Sequence, residues 1–551
     1  MRALVIAAIL LALCRCAFCA GAEEKEPMKW YSADIRARLD LACRYLEGML
    51  DRDRDLEPFF SIHRDPDTKT AFARHAVSIG IPHVTGRALE ALFQTEMLTG
   101  EKMPAEAEKA YTKYLYSCME NEDFMPYFID TDDSDKPKVE CHNLREALFG
   151  LTRLVQNRND AHARALADGM LLTLEKMNGE SGMFSYEKIK AMGREGVFLG
   201  ISDTMQTTTS GRLVGALAAY YRVTKNPLAL KLAAGYAKGV MGHSFTDDGR
   251  LTDDASNHIH SITSSLSGIL DYAYMAGDEK TADKVLKVYK NGLREFMSSY
   301  GWVKEQAWLE TDQGESNQVG DVIQILLLAA ENRDPAYYAD AEKFMRSALL
   351  PQQVIDNSFV KENSAPENDS EKDMHKRILG GFGFATPRAH LQQEWSAINT
   401  IDITEGAVQA ICEFARHIIT RDDLGIRVNL LFDWENEYAR AESALPAKGR
   451  LKIIPKVGDA LLVRIPENIK PGSFKIYGPE GERKWTPVKN YALAECKKGE
   501  EISVYFTPLM TEKGEFIYHK HYGVRCYGEQ CVWVSGEGGV YPLFGEFEPE
   551  E

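Results

Sequence analysis

Histidines, amides and carboxylates recur in this sequence at one kind of place, just ahead of an apolar-periodic stretch. Six segments share the character: 81–83 with His83, 140–143 with His142, 203–207 with Gln206, 257–260 with His258 and His260, 310–317 with Glu315 and Asn317, and 399–405 with Asp402 and Glu405. Imidazoles and amides grip hydroxyl groups and carboxyl groups exchange protons, so the set suits a polyhydroxylated ligand. Helix capping accounts for Thr404 or Ser265 equally well, but not for His83, His142 and His258. Cleavage of a glycoside uses two carboxyl groups, one protonated and one ionised. Glu305, Glu310, Asp312, Glu315, Asp402 and Glu405 fall on two neighbouring segments, and Glu315 and Asp402 are read as functional rather than as solvated charges. Asp402 stands about one turn ahead of the last expected helix, where the positive end of the helix dipole favours the ionised form of a nucleophile or base. Glu315 or Glu305 is then the acid, kept protonated by a dry setting such as Trp302 or Trp308 gives. Glu405 falls in the first helical turn, where stabilising the terminus is its plainer role; Trp308, with Trp302 and Trp395, offers an aromatic platform for a sugar.

Such segments meet only if their helices begin at one end of a common scaffold. Apolar-periodic stretches open at Gly86-Arg87-Ala88-Leu89, Leu144-Arg145-Glu146, Gly211-Arg212-Leu213, Ser265-Leu266-Ser267-Gly268, Val319-Gly320-Asp321 and Gly406-Ala407-Val408. The first five are each followed by a short break (Thr99-Gly100, Asn159-Asp160, Asn226-Pro227, Gly277-Asp278, Asp334-Pro335) and a second helix. The period of roughly fifty to sixty residues describes stacked helical hairpins. With a lone helix near Ala33 to Leu50 and the last one near Thr404 to Ile419, twelve helices are expected. They predict a mainly α chain, an (α/α)6 toroid of helical hairpins over residues 23–440, with the first and last helices forming the sixth pair. The polar stretch from Lys361 to Asp373 reads as a mobile loop. Past Leu431, short β-branched and aromatic runs between Gly and Pro turns predict an antiparallel β-sandwich over residues 441–551.

Composition narrows the partners. The chain has 551 residues and a formal charge of −17. Arg2, the apolar run from Ala3 to Leu13 and Ala20-Gly21-Ala22 have the layout of a cleavable signal peptide over residues 1–22, which predicts a secreted or periplasmic product. Its removal takes away Arg2 and Arg15 and no acid, so the charge moves from −17 to −19. Nucleic acid and anionic membranes are poor partners for such a chain, and no later segment is apolar for long enough to span a bilayer. The oligomeric state is not legible. Seven scattered cysteines follow the leader without a CxxC pair, so no zinc knuckle is expected. Cys526 and Cys531 bracket a Tyr-Gly-Glu-Gln turn and are read either as a hairpin disulfide or as two unrelated thiols. His519-Lys520-His521 reads as a solvated strand face.

At the mouth segments the sequence resembles the β-L-arabinofuranosidase family of glycoside hydrolases, family 127, over roughly Gly86 to Leu431 and more weakly over Gly449 to Pro466. His258-Ile259-His260-Ser261 is similar to the family's His-Ala-Asn-Thr sugar-binding motif, with Gly268 at the family's spacing. Gly314-Glu315-Ser316-Asn317 is similar to its Gly-Glu-Thr/Ser-Cys motif, and Glu305 stands for its acid/base glutamate. The resemblance implies a helical ring with a trailing β-sandwich and a cysteine nucleophile on zinc. Here Asn317 replaces the first thiolate, and Asp402-Ile403-Thr404-Glu405-Gly406 occupies the region of the Cys-Cys pair. The thiolate–zinc mechanism therefore drops out on ligand count, and no metal or other cofactor is expected. What remains is a two-carboxylate hydrolase acting on an oligosaccharide or a polysaccharide side chain. The rivals are a non-catalytic glycan-binding protein and a polysaccharide lyase with His83, His142 or His258 as base.

Overall fold

The computed structural model describes residues 28–75, 80–129, 137–199, 206–364, 367–387 and 398–535. The expected leader and Trp395 lie outside them.

Among the described residues, twelve α-helices of eight residues or more form the main body. In chain order they are α1 (Ile35–Gly48), α2 (Gly80–Thr99), α3 (Ala105–Met119), α4 (Cys141–Arg158), α5 (Ala161–Met177), α6 (Arg212–Thr224), α7 (Pro227–His243), α8 (Ile259–Ala276), α9 (Glu279–Val288), α10 (Ser316–Asn332), α11 (Tyr337–Phe344) and α12 (Ile401–Ile418). Three of the five breaks between hairpin partners follow one local rule. A left-handed residue ends one helix and the next residue caps the following one: Asn159 then Asp160, Lys225 then Asn226, Gly277 then Asp278. Each capping side chain accepts a backbone N–H of the new first turn, and Pro227 follows its cap at the first helical position.

The even-numbered helices form the inner wall. Each packs on the next, α12 packs on α2, and α1 packs on α12 to complete the sixth pair, so the toroid is closed as expected. Glycines set how near the inner helices approach. A Cβ on Gly86 would stand 2.1 Å from the Glu146 carbonyl oxygen, and one on Gly268 would stand 2.6 Å from the Gly215 nitrogen. These crossings admit no side chain, which is why α2 meets α4, and α6 meets α8, backbone to backbone.

One end of the ring carries a small five-stranded sheet whose neighbours run Ala71–Arg74, Ser61–Arg64, Asn399–Thr400, Phe382–Ala385 and Gly314–Glu315. Two of its strands run straight into α10 and α12, so the sheet holds the entries of both helices in register. The described residues of the stretch from Lys361 to Asp373 are tied to the ring at two places. The Lys361 and Asp369 backbones bond to the Lys69 carbonyl and to Asp53, and the Asp369 carboxylate accepts from the Arg52 backbone and pairs with Arg377.

The β region begins at Ile419, ahead of the expected boundary at 441. Ile419–Asp422 and Gly425–Val428 start a five-stranded sheet continued by Asp459–Arg464, Tyr491–Cys496 and Thr486–Val488. It is antiparallel apart from the pairing of Gly425–Val428 with Asp459–Arg464. A six-stranded antiparallel sheet, with Arg450–Pro455 and Ile502–Tyr505 at its centre, supplies the second sheet. A third sheet, Met510–Ile517, Lys520–Tyr527 and Gln530–Val534, belongs to neither; its Ile517, Tyr522, Val524 and Val534 pack on Tyr300 and Trp302 of the ring. Lys520 and Tyr522 hold Asp312 at 2.9 and 2.7 Å, so His519 and His521 flank a docking contact rather than a bare strand face. Cys526 and Cys531 stand opposite each other in neighbouring strands as free thiols.

Ring, sandwich and third sheet share one buried ionic knot. Arg464 from the sandwich bonds to Glu342 of α11 and, at 2.9 Å through two nitrogens, to Glu529 ahead of the last strand. Glu342 also accepts from Arg346 at 2.8 Å and from the Leu431 backbone at 2.7 Å.

Candidate active site

The inner helices all begin at the sheet-bearing end, and their first residues meet there. An arc of imidazoles links the two expected carboxylates. Asp402 Oδ2 lies 3.5 Å from His83 Nε2, whose Nδ1 faces Asn143 Oδ1 at 3.1 Å. The rings of His83, His142 and His258 follow one another with centroids 6.4 and 6.5 Å apart. His258 Nε2 then meets Glu315 Oε1 at 3.2 Å, and His258 Nδ1 is fixed by Ser261 Oγ at 3.1 Å. The other oxygen of Glu315 faces His260 Nδ1 at 3.6 Å, and His260 Nε2 faces Asp321 at 3.6 Å. Glu305 joins the same corner because its carbonyl accepts from the Ile259 backbone at 2.8 Å.

Beneath the arc lies a core of charge. Glu146 is fully buried and contacts three guanidiniums, Arg212 at 3.1 Å, Arg145 at 3.2 Å and Arg87 at 3.8 Å. Burial opposes its ionisation, but the three cations outweigh burial and hold the carboxyl at about 2. Burial lowers His142 to about 4 and His260 well below the ordinary imidazole range, so both rings are neutral near pH 7.

The acids at the mouth diverge. Burial of Asp402 favours the neutral form, yet the hydrogen bond and charge of His83, with Arg87 behind, hold it below the usual carboxylate range. Glu305 is pushed up, first by burial and then by the charge of Glu315. The two carboxyls are thus pushed in opposite directions, Asp402 down and Glu305 up, the direction of division that acid–base cleavage uses.

Other expected residues sit differently. Glu405 is sealed in the wall with neither carboxyl oxygen hydrogen-bonded among the described residues, and burial raises it well above the usual range. Asn317 is also covered, its amide without a hydrogen bond among the described residues and close to Gly406 and Arg87. Gln206 Oε1 accepts from Ser210 at 2.7 Å and its Nε2 reaches the Phe184 carbonyl, so this amide holds the entry of α6 rather than a ligand. Trp302 is 1% exposed and donates to the Ala385 carbonyl at 3.0 Å, which makes it a core anchor and not a platform. Trp308 is 47% exposed, held by its backbone to Asn257 Oδ1 at 2.9 Å.

At the position of the family's first thiolate stands the covered amide of Asn317, while Glu140, Cys141 and His142 bring donor atoms within 4.8 Å of one another. His258, His260 and Glu315 bring donor atoms within 4.8 Å of one another, but each imidazole already faces the carboxylate. Reading the sequence missed Arg87, Arg145, Arg212 and Glu146. A signal was present, since an arginine recurs at the opening of the first three repeats.

No protein-family model matches this sequence, and no curated protein matches it. Solved structures do share its fold. A family 127 β-L-arabinofuranosidase from Geobacillus stearothermophilus T6 is similar at 13% identity, with a TM-score of 0.54 over 81% of this chain and 75% of that one. A second family 127 β-arabinofuranosidase is similar at 11% identity and a TM-score of 0.56, over 81% and 74%. A protein described as a glycoside hydrolase gives 11% and 0.52, over 88% and 84%. The chain thus shares the fold of these family 127 enzymes.

Proposed function

We propose that this protein is an exported glycoside hydrolase that acts on an oligosaccharide or a polysaccharide side chain through two carboxyl groups and without zinc. The observation that carries the reading is the opposite bias of two acids at one mouth, Asp402 held down beside His83 and Glu305 pushed up by burial and by Glu315. Asp402 acts as nucleophile or base, Glu305 protonates the leaving oxygen, and Glu315, gripped by His258 and His260, stands between them as a sugar-hydroxyl acceptor. His83, His142 and His258 line the path between the acids with hydroxyl-binding nitrogens, and exposed Trp308 offers a flat face beside it.

The fold shared with enzymes described as β-L-arabinofuranosidases puts L-arabinofuranosides first in a panel of oligosaccharides and aryl glycosides. Cleavage of one member, lost in Asp402→Asn and Glu305→Gln with sugar binding retained, is the expected result. Full activity in either variant overturns that residue's role, and failure of the unaltered protein across the panel favours the glycan-binding reading. Elemental analysis should find no stoichiometric zinc; one tightly held ion per chain would refute the zinc-free mechanism. A lyase reading gains a neutral base in His142, but Arg87, Arg145 and Arg212 all contact Glu146.

A further inference from the structure

The inner helices enclose a second space at their far ends. A cavity of about 320 Å³ opens where Arg222, Glu331 and His417 lie near the C-termini of α6, α10 and α12. At 1.5 Å per residue, Glu331 stands roughly 20 Å along α10 from the mouth. The volume equals about ten waters at ~30 Å³ each.

We propose that this cavity is a second carbohydrate site, taking a neutral polyol the size of a monosaccharide. Its floor offers a buried donor and a buried acceptor. Arg145 is 4% exposed and bonds to Glu146 through Nε, while its two terminal nitrogens make no hydrogen bond among the described residues. Asp321 is 8% exposed and accepts from Thr263 Oγ1 through Oδ2 at 2.7 Å, leaving Oδ1 without a hydrogen bond among the described residues. A guanidinium fork and a carboxylate oxygen at one floor match neighbouring hydroxyls, one accepting and one donating. Burial leaves both groups under-compensated, lowering Arg145 to about 10 and raising Asp321 to about 6.

The walls and the rim select against other ligands. Phe149, over which Arg145 lies at 5.9 Å, and Leu327 give an apolar face for the C–H side of a sugar ring. The rim charges are already paired, Arg153 with Glu90, Arg222 with Asp271 and His417 with Glu331. A rim without spare charge gives a free anion or cation no advantage over a neutral polyol. Its floor backs onto the other site, with Asp321 facing His260 and Arg145 bonding to Glu146, but no acid–base step at the mouth is needed for a polyol to bind here.

The test is calorimetric titration of the full chain with a neutral pentose, a neutral hexose and an alditol, and separately with acetate and inorganic phosphate. Ala219→Trp and Leu328→Trp place an indole from the partly exposed wall into the cavity, with circular dichroism as the check on folding. At least one neutral ligand should bind in the unaltered protein, bind equally in His258→Ala, and weaken tenfold or more in both tryptophan variants. No neutral ligand binding, unchanged binding in folded tryptophan variants, binding lost in His258→Ala, or binding of acetate or phosphate alone would each overturn the proposal. Absence of glycosidase activity leaves this titration unaffected, so the two readings fail separately.

Discussion

At Asp402 two influences oppose each other, burial favouring the acid and His83 favouring the carboxylate, and the imidazole prevails. Removing the charge in Asp402→Asn should lower kcat at least a hundredfold, the usual scale of a lost base, with KM for a cleaved glycoside little changed. The pH profile follows from the two shifts. Activity is lost as pH falls through the depressed range of Asp402 and as pH rises through the elevated range of Glu305, giving a bell in kcat/KM. Glu305→Gln should remove the alkaline limb along with most of the rate on poor leaving groups. Glu405 makes a different prediction. It is neutral when folded and ionises when unfolded above about pH 4.5, so its stability cost grows as pH rises past that value. Glu405→Gln should therefore raise Tm at pH 7 and leave it nearly unchanged at pH 4, measured by calorimetry. The positions of Glu315 and Asp402 were legible because both mark the start of an inner helix, although Asp402 falls inside the first turn of α12 rather than the expected turn ahead of it. The burial of Trp302 was not, because the third sheet that covers it comes more than 200 residues later.

The helices were legible for a local reason: three of their five hairpin breaks carry a left-handed residue followed by a cap, and their apolar faces repeat at the helical period. The mouth sheet was not, since its strands are two to four residues long and come from three distant parts of the chain. The pinning of Lys361 and Asp369 was hidden in the same way, because polar composition reports exposure and not which backbone groups are bound. Inner-wall spacing rests on the glycine crossings. Gly86→Ala would place a methyl group 2.1 Å from a main-chain oxygen that cannot rotate away, so α2 and α4 must separate. The expected cost is about 3 kcal/mol, at the upper end of overpacking penalties, read as a lower denaturation midpoint. Gly100→Ala, whose added carbon meets nothing but whose backbone is left-handed, should cost about 1 kcal/mol and serves as the control.

Arg464 joins three parts of the molecule, and its loss strands Glu529 without a cation and leaves Glu342 with Arg346 alone. Arg464→Leu should cost about 3–5 kcal/mol, as a broken buried pair does, and should loosen the third sheet first. Hydrogen exchange of the Gln530–Val534 amides, compared with those of α8, checks the order. The ring itself has a consequence for how the chain comes into being. Its seam lies between α2 and α12, and its outer layer is completed by α1, so the earliest and latest helices of the ring are neighbours. On the ribosome α2 emerges with one flank uncovered and stays so while some 300 residues follow it. A nascent chain released before α12 is an open crescent with an apolar edge, the kind of intermediate that recruits chaperones, and only translation past residue 418 turns the crescent into a circle.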